Sequence, residues 1–206
     1  MNEPRIAAII LAAGASTRMG CAKQLLKLNR SYMLEQVIER VLTIGFTEVV
    51  AVIGREAERI QQLILIEDKR FRWCVNPDFC KGQSTSLKAG IKEVAEEVEG
   101  IMIFLGDQPF ISEKTIRYMY EEGVALLSHK KHAFAIQPTF QEKPGHPVFF
   151  ARPSRLAFLE LQGDQGAKPI LKNLEEHILL PVKDKAILID LDTPEDVLQN
   201  NFINEN

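Results

Sequence analysis

Ile6 to Ala13 is an unbroken run of eight apolar residues, and it opens directly into Gly14-Ala15-Ser16-Thr17-Arg18-Met19-Gly20, with Lys23 three residues beyond. An apolar run of this length without alternation fits a strand buried on both faces. The loop it delivers is built from small residues, so its backbone N–H groups lie open as an anion-binding concavity, and Arg18 and Lys23 flank it with two cations. Together they suit a polyphosphate. The commoner phosphate loops are excluded by spacing. A Walker loop has four residues between its glycines and then Gly-Lys-Ser/Thr, whereas five separate Gly14 from Gly20 here and Cys21 follows. The Gly-x-Gly-x-x-Gly fingerprint is absent as well. On the loop alone, a plain strand-to-helix turn with incidental charges is the competing reading.

The rest of the chain alternates strand-like and helix-like patterns. Ile6–Leu11, Glu48–Ile53, Arg72–Val75 and Gly100–Leu105 read as strands. Met33, Val37, Val41 and Ile44 recur at helical spacing, with Leu34, Ile38 and Leu42 widening the face. Further helices are expected over Glu56–Leu65, Ser86–Val98 and, from a Ser112 cap, to Leu127. This alternation predicts an α/β fold, a Rossmann-like three-layer sandwich with a mostly parallel central sheet and helices on both faces. Ligands of such sheets bind beyond the carboxyl ends of the strands, where strand order reverses, and both the first loop and Gly106-Asp107 leave strands there. After Pro109 the pattern is mixed. Phe134–Phe140 and His146–Phe150 read as strands joined as a hairpin, with helices near Pro153–Leu161 and Ala167–Leu174. Ala186–Leu191 reads as a late strand, Pro194 as the first helical position after a Thr193 cap, and Gln199–Asn206 as a polar, fraying tail.

At 206 residues the expectation is one domain spanning 1–206, large enough to bury about 70% of its unfolded surface. A net charge of −3 gives no electrostatic footprint for nucleic acid or an anionic membrane. Three cysteines, Cys21, Cys74 and Cys80, are too sparse for a disulfide framework and fit a reducing, cytoplasmic setting. The acidic Glu3 and the charged loop that follows argue against reading Ile6–Ala13 as a signal peptide, and no segment has the length of a membrane span.

Two acidic positions stand out. Asp107 ends the strongly apolar Ile101–Leu105, where a carboxylate meets solvent or a cation, so it is a candidate Mg²⁺ ligand. A cap on the next helix is the alternative. In Asp190-Leu191-Asp192-Thr193-Pro194-Glu195-Asp196, strand alternation would turn Asp190 and Asp192 to one side, while Glu195 and Asp196 suit a helix start. A third element is Asn76-Pro77, then Gly82-Gln83-Ser84 and Ser86-Leu87, a glycine turn into a helix that Ser84 or Ser86 could cap. His129, His132 and His177 lack metal-ligand spacing and read as surface residues.

Leu11-Ala12-Ala13-Gly14-x-Ser16-x-Arg18-Met19-Gly20-x-x-Lys23-x-Leu25-Leu26 resembles the signature of the nucleotidyltransferases that act on the molybdenum cofactor. It is most similar to the cytidylyltransferase branch, because the guanylyl branch has glycine where Ala13 stands and an acidic residue where Ala22 stands. The resemblance runs from about Ile9 to Val197. It implies that Leu11, Ala12, Ala13, Gly14, Arg18 and Lys23 bind the nucleotide, with Arg18, Lys23 and Asp107 catalytic. It implies further that Asp107 and Asp192 hold Mg²⁺ (or Mn²⁺), with Asp190 in reserve. Asn76, Gly82, Ser84 and Ser86 would contact base and ribose, with the Asn76 amide reading Watson–Crick edges. Gly145-His146-Pro147 and Gly163-Asp164-Gln165-Gly166-Ala167-Lys168 would place His146, Asp164 and Lys168 on the acceptor side. Lys168 replaces the family's arginine there and loses the bidentate fork.

The implied reaction is transfer of CMP from CTP to molybdopterin, with a molybdenum hydroxylase or its chaperone as a further partner. A GTP-using or sugar- or polyol-phosphate transferase of the same fold is the nearer alternative. A non-catalytic cofactor-delivery or assembly factor is the more distant one, and the joint presence of Lys23, Asp107 and Asp192 speaks against it.

Overall fold

The computed structural model describes residues 3–14, 22–193 and 196. Arg18, Gly20 and Cys21, the helix position of Pro194 and the tail 197–206 lie outside the described residues. The strands are β1 (Ile6–Ala12), β2 (Lys27–Leu28), β3 (Ser31–Tyr32), β4 (Glu48–Ile53), β5 (Phe71–Val75), β6 (Gly100–Leu105), β7 (Phe134–Phe140), β8 (Lys143–Pro144), β9 (Val148–Ala151) and β10 (Glu176–Pro181). The helices are α1 (Met33–Leu42), α2 (Ala57–Leu63), α3 (Gln83–Glu93), α4 (Glu113–His129), α5 (Arg155–Leu159) and α6 (Lys168–Asn173). The main sheet runs β10-β7-β9-β6-β1-β4-β5, with β8 paired to β7. Its pairs are parallel except those made by β8 and β9, which run against their neighbours. The expected mostly parallel sheet is therefore present, and β7 and β9 form the expected antiparallel pair.

Strand alternation sorts the core into two. Ile6, Ala8 and Ile10 of β1 share one side with Met33, Ile38 and Val41 of α1, Ile60 of α2, and Ile116 and Met119 of α4. Ala7 and Ile9 share the other with Leu87 and Ile91 of α3, Phe158 of α5 and Ile170 of α6. Because β1 is covered on both faces, its sequence shows no polar alternation.

The element ends that sequence misplaces are set by distant partners. α3 was expected over Ser86–Val98 but spans Gln83–Glu93. At its start, Gln83 N–H donates to Asp164 Oδ1 at 3.0 Å and Ser84 N–H to the Gly163 carbonyl at 3.2 Å. Neither Ser84 nor Ser86 caps it, since both lie inside the first turns. At its end the Arg155 guanidinium donates to the carbonyls of Ile91 at 2.6 Å, Ala95 at 2.7 Å, and Val94. The Ser112 cap is observed, its Oγ accepting from Thr115 N–H at 3.2 Å. Ala186–Leu191 is not a strand. Asp184 Oδ1 accepts from Ala186 N–H at 3.0 Å and starts a 3₁₀ turn over Lys185–Leu188. The final strand is instead β10, an edge strand whose burial alternates from Glu176 to Pro181 and whose His177 and Pro181 hide its apolar pattern. His129 and His177 are exposed, and His132 is bound to Glu176 at 2.8 Å.

Gly123 lies inside α4, where a Cβ would fall 2.6 Å from the ring of the buried Phe149. Gly123→Ala gains about 1 kcal/mol of helix propensity but overpacks a ring already stacked on Phe134, a cost of about 1–3 kcal/mol. The urea midpoint should fall with an unchanged m-value, and a midpoint above that of the wild type would show that Phe149 has room to move.

Candidate active site

From β1 the chain proceeds to β4 and β5 on one side, then returns to β6 on the other, so strand order reverses at β1 and β6. The loops leaving these two strands lie side by side, with Gly106 N–H donating to the Leu11 carbonyl at 2.9 Å. Gly106 permits this approach, since a Cβ there would stand 2.8 Å from that of Ala12. A cleft of about 810 Å³ opens at this edge. Leu11, Ala12, Ala13, Gly14, Lys23, Gly82, Ser86, Asp107, Asp164 and Asp192 border it, as does Asp190. That volume accommodates a nucleotide.

Lys23 begins a short 3₁₀ turn, and its Nζ donates to Asp107 Oδ2 at 2.6 Å and to Asp192 Oδ1 at 2.8 Å. Burial by itself would lower the pKa of this ammonium, but the Asp107 and Asp192 carboxylates outweigh it and hold the value above the ordinary one. Lys23 is thus a fixed positive charge. Asp192 reaches it because Leu191 N–H donates to the Asp107 carbonyl at 3.0 Å and Leu191 is buried. The flanking Asp190 and Asp192 then turn to the cleft from extended chain, without the ladder that sequence alternation suggested. Burial, reinforced by the Asp107 charge, pushes the Asp190 carboxyl up.

The donor set fits a divalent cation. Asp107 Oδ1 is buried and has no hydrogen-bond partner among the described residues. A carboxylate oxygen of this kind is chemically suited to a hard cation. No cluster of three or more metal-ligating side chains occurs among the described residues. Mg²⁺ needs none, because one or two carboxylates with substrate phosphate oxygens and water complete its shell.

The third sequence element behaves differently from expectation. Asn76 is 3% exposed and does not border the cleft. Its Nδ2 donates to Thr85 Oγ1 at 2.9 Å and Ser86 Oγ at 3.1 Å, and its Oδ1 accepts from Asp78 N–H at 3.0 Å. This amide shapes the turn, with both N–H groups committed and the group buried away from the cleft. Ser84 is likewise buried away from the cleft. Gly82 is required twice over, by φ of +106° and by a Cβ that would lie 2.5 Å from the Gly163 carbonyl oxygen. Asp164 spends one oxygen on the α3 N-terminus. Lys168 is exposed and, like His146, lies outside the lining of the main cleft, although its charge reaches His146.

Sequence reasoning missed Gln24 and Phe79. Gln24 Nε2 donates to the carbonyls of Ala12 at 2.6 Å and Gly14 at 3.3 Å, fixing how the first loop leaves β1. Its place directly after Lys23 was the available signal. Phe79 borders the cleft and packs on Gly54, where a Cβ would come within 2.6 Å of the ring. No sequence pattern marks it.

A largely buried ammonium hydrogen-bonded to two carboxylates, one of which keeps a buried oxygen with no partner among the described residues, gathered at the switch point of a parallel sheet, fits a nucleotidyltransferase. The likeness to known proteins agrees with this class. The chain belongs to the MobA-like NTP transferase domain family, matched over residues 8–178. It is 29% identical to the purine catabolism protein PucB of Bacillus subtilis, over 95% of this chain and 96% of that protein. It is 24% identical to the molybdenum cofactor cytidylyltransferase of Escherichia coli, over 92% of each. A solved nucleotidyl transferase from Methanothermobacter shares its fold, with a TM-score of 0.78 at 22% identity over 98% of this chain and 99% of that one. Among the described residues no helix is long and apolar enough to cross a membrane.

His146 precedes a cis peptide to Pro147. Burial pushes its imidazole from 6.5 down to about 4, assisted by Lys168 and opposed by Asp107. The unfolded chain therefore binds this proton more tightly. The stability given by the neutral ring is complete above 6.5 and is lost as pH falls toward 4. His146→Gln should flatten this part of the stability curve in urea titrations. Equal slopes for variant and wild type would show that His146 does not titrate in a buried place.

Proposed function

We propose that the protein transfers CMP from CTP to the terminal phosphate of molybdopterin and releases pyrophosphate. The observation that carries this reading is the Lys23 ammonium held between Asp107 and Asp192 at the mouth of β1 and β6. Similarity to the Escherichia coli cytidylyltransferase over most of both chains supports the choice of nucleotide and acceptor. An acceptor phosphate oxygen forms a bond to the α-phosphorus while the bond from that phosphorus to the β-phosphate oxygen breaks. The electron pair leaves with pyrophosphate. A phosphate acceptor is already ionised at neutral pH, so no general base is needed. The work of the protein is alignment and charge neutralisation.

Lys23 and the loop amides, together with Arg18, would stabilise charge growing on the leaving group. Asp107 and Asp192 would hold Mg²⁺ or Mn²⁺, which supplies Lewis-acid neutralisation of phosphate oxygens. Because the Asn76 amide is committed to its own turn, reading of the base falls to the backbone of Leu11–Ala13 and to the Gly82–Gln83 turn. His146, Asp164 and Lys168 are proposed to face the acceptor. A molybdenum hydroxylase is the proposed recipient of the product, in keeping with a relative named for purine catabolism.

Lys23→Ala should lower kcat/KM by about 2–4 kcal/mol with the fold retained. Asp107→Asn should abolish metal-dependent turnover while sparing nucleotide binding measured without metal, since it relieves repulsion of phosphate. Wild-type rates for Asp107→Asn across a Mg²⁺ titration would remove the metal assignment. The deciding experiment competes CTP with GTP in one reaction containing molybdenum cofactor and weighs the dinucleotide products. CTP is expected to be favoured by about tens to hundreds of fold, a discrimination of ~1–3 kcal/mol. Equal use, or excess GMP product, sinks the cytidylyl choice. Absence of pyrophosphate release with either nucleotide sinks the transferase reading.

A further inference from the structure

Gln108 follows Asp107 in sequence yet lies behind the cleft wall, 4% exposed and not itself bordering the cleft. Its Nε2 donates to two groups, Asp190 Oδ1 at 2.7 Å and the Ile187 carbonyl at 3.3 Å. A carboxylate and a carbonyl are both acceptors, so the nitrogen of the amide and not its oxygen must face them. The other end of the amide gains nothing, because Oε1 is buried with no partner among the described residues. An apolar side chain of similar length would avoid that orphaned acceptor, so burial does not by itself call for glutamine here.

The Ile187 carbonyl is a junction. It also accepts from His146 N–H at 3.2 Å, and Gly145 is pressed so close that a Cβ would stand 2.3 Å from its oxygen. Farther along, Leu191 N–H donates to the Asp107 carbonyl. Residues 187–191 are thus held at one end by the His146 turn and at the other by the strand end that bears Asp107. One nitrogen, that of Gln108, touches both the carbonyl at the first hold and the Asp190 carboxylate beside the second. Asp190 in turn lies within electrostatic reach of Asp107, Asp192 and Lys23.

We propose that Gln108 is a positioning residue for this centre: its amide sets where the Asp190 carboxylate stands relative to Lys23 and Asp107, and ties that carboxylate to the His146 turn. It acts through Asp190 and touches no ligand. The proposal deepens the transferase reading above and rests on it for its catalytic consequence.

Three substitutions test it. Gln108→Met keeps the length and removes the donor. Gln108→Glu keeps the shape but turns oxygen toward Asp190 and the Ile187 carbonyl. Asp190→Asn removes the charge and supplies an N–H that can donate to a glutamate at 108. Gln108→Met should lower kcat about 10-fold with the KM for nucleotide changed less than about twofold, and Gln108→Glu should lower kcat about 100-fold. The double variant Gln108→Glu/Asp190→Asn should turn over faster than Gln108→Glu alone, because the second change replaces the carboxylate–carboxylate repulsion with a hydrogen bond. A glutamine that only fills space predicts additive losses that follow the melting temperature. That result, or wild-type kcat in Gln108→Glu, overturns the proposal.

A second readout needs no substrate. In titrations of the purified protein with Mn²⁺ alone, followed by electron paramagnetic resonance, affinity should fall severalfold in Gln108→Met and in Asp190→Asn, and no further when the two are combined. If no nucleotide is transferred by the wild type while the Mn²⁺ affinities keep this order, the transferase reading fails and the positioning role stands. If transfer is normal and the order is absent, the positioning role fails alone.

Discussion

β1 has a parallel partner on each side, β4 and β6, and a helical layer on each face. Its backbone groups are consumed by two ladders and its side chains by two cores, so its carboxyl end is where it can present polar groups to a ligand. Strand order reverses at the same place, which leaves no crossover helix lying over the opening. The apolar run that makes β1 a poor place for chemistry is therefore what forces chemistry to its end. Gly14, Lys23, Gly106 and Asp107 all follow from that one placement.

The charges at the opening are arranged rather than merely accumulated. Asp107, Asp190 and Asp192 would repel each other and any incoming phosphate, and the Lys23 ammonium separates two of them at hydrogen-bonding distance. Its hydrogen bonds to Asp107 and Asp192 gather the two carboxylates around one cation. The other Asp107 oxygen, Oδ1, stays buried with no hydrogen-bond partner among the described residues.

The fold was legible in sequence where a pattern was long and its partners local. β4 and β6 were placed to the residue, and the face of α1 was read from Met33, Val37 and Val41. Lys23, Asp107 and Asp192 were legible because their motifs place chemistry directly beside apolar runs. What failed was set by contacts across the chain. Asn76 looked like a base reader because sequence shows an amide but not the hydroxyls of Thr85 and Ser86 waiting for it. Ala186–Leu191 looked like a strand because its apolar residues are indeed buried, yet Asp184 bends it into a turn first. β10 was missed because an edge strand carries half the apolar signal of a central one.

Both ends of α3 are completed by residues that follow it at a distance: Asp164 at its first turn and Arg155 at its last. The helix is 11 residues long and holds a glycine, Gly90, in its second half, so it is a weak helix when isolated. As the chain emerges from a ribosome, β1 and its loop exist long before those two caps do. The wall of the cleft formed by Gly82 and Gln83 is then finished only after Arg155 and Asp164 have been made. The cleft is therefore completed late in synthesis, although β1 is the first element of the sheet to be made.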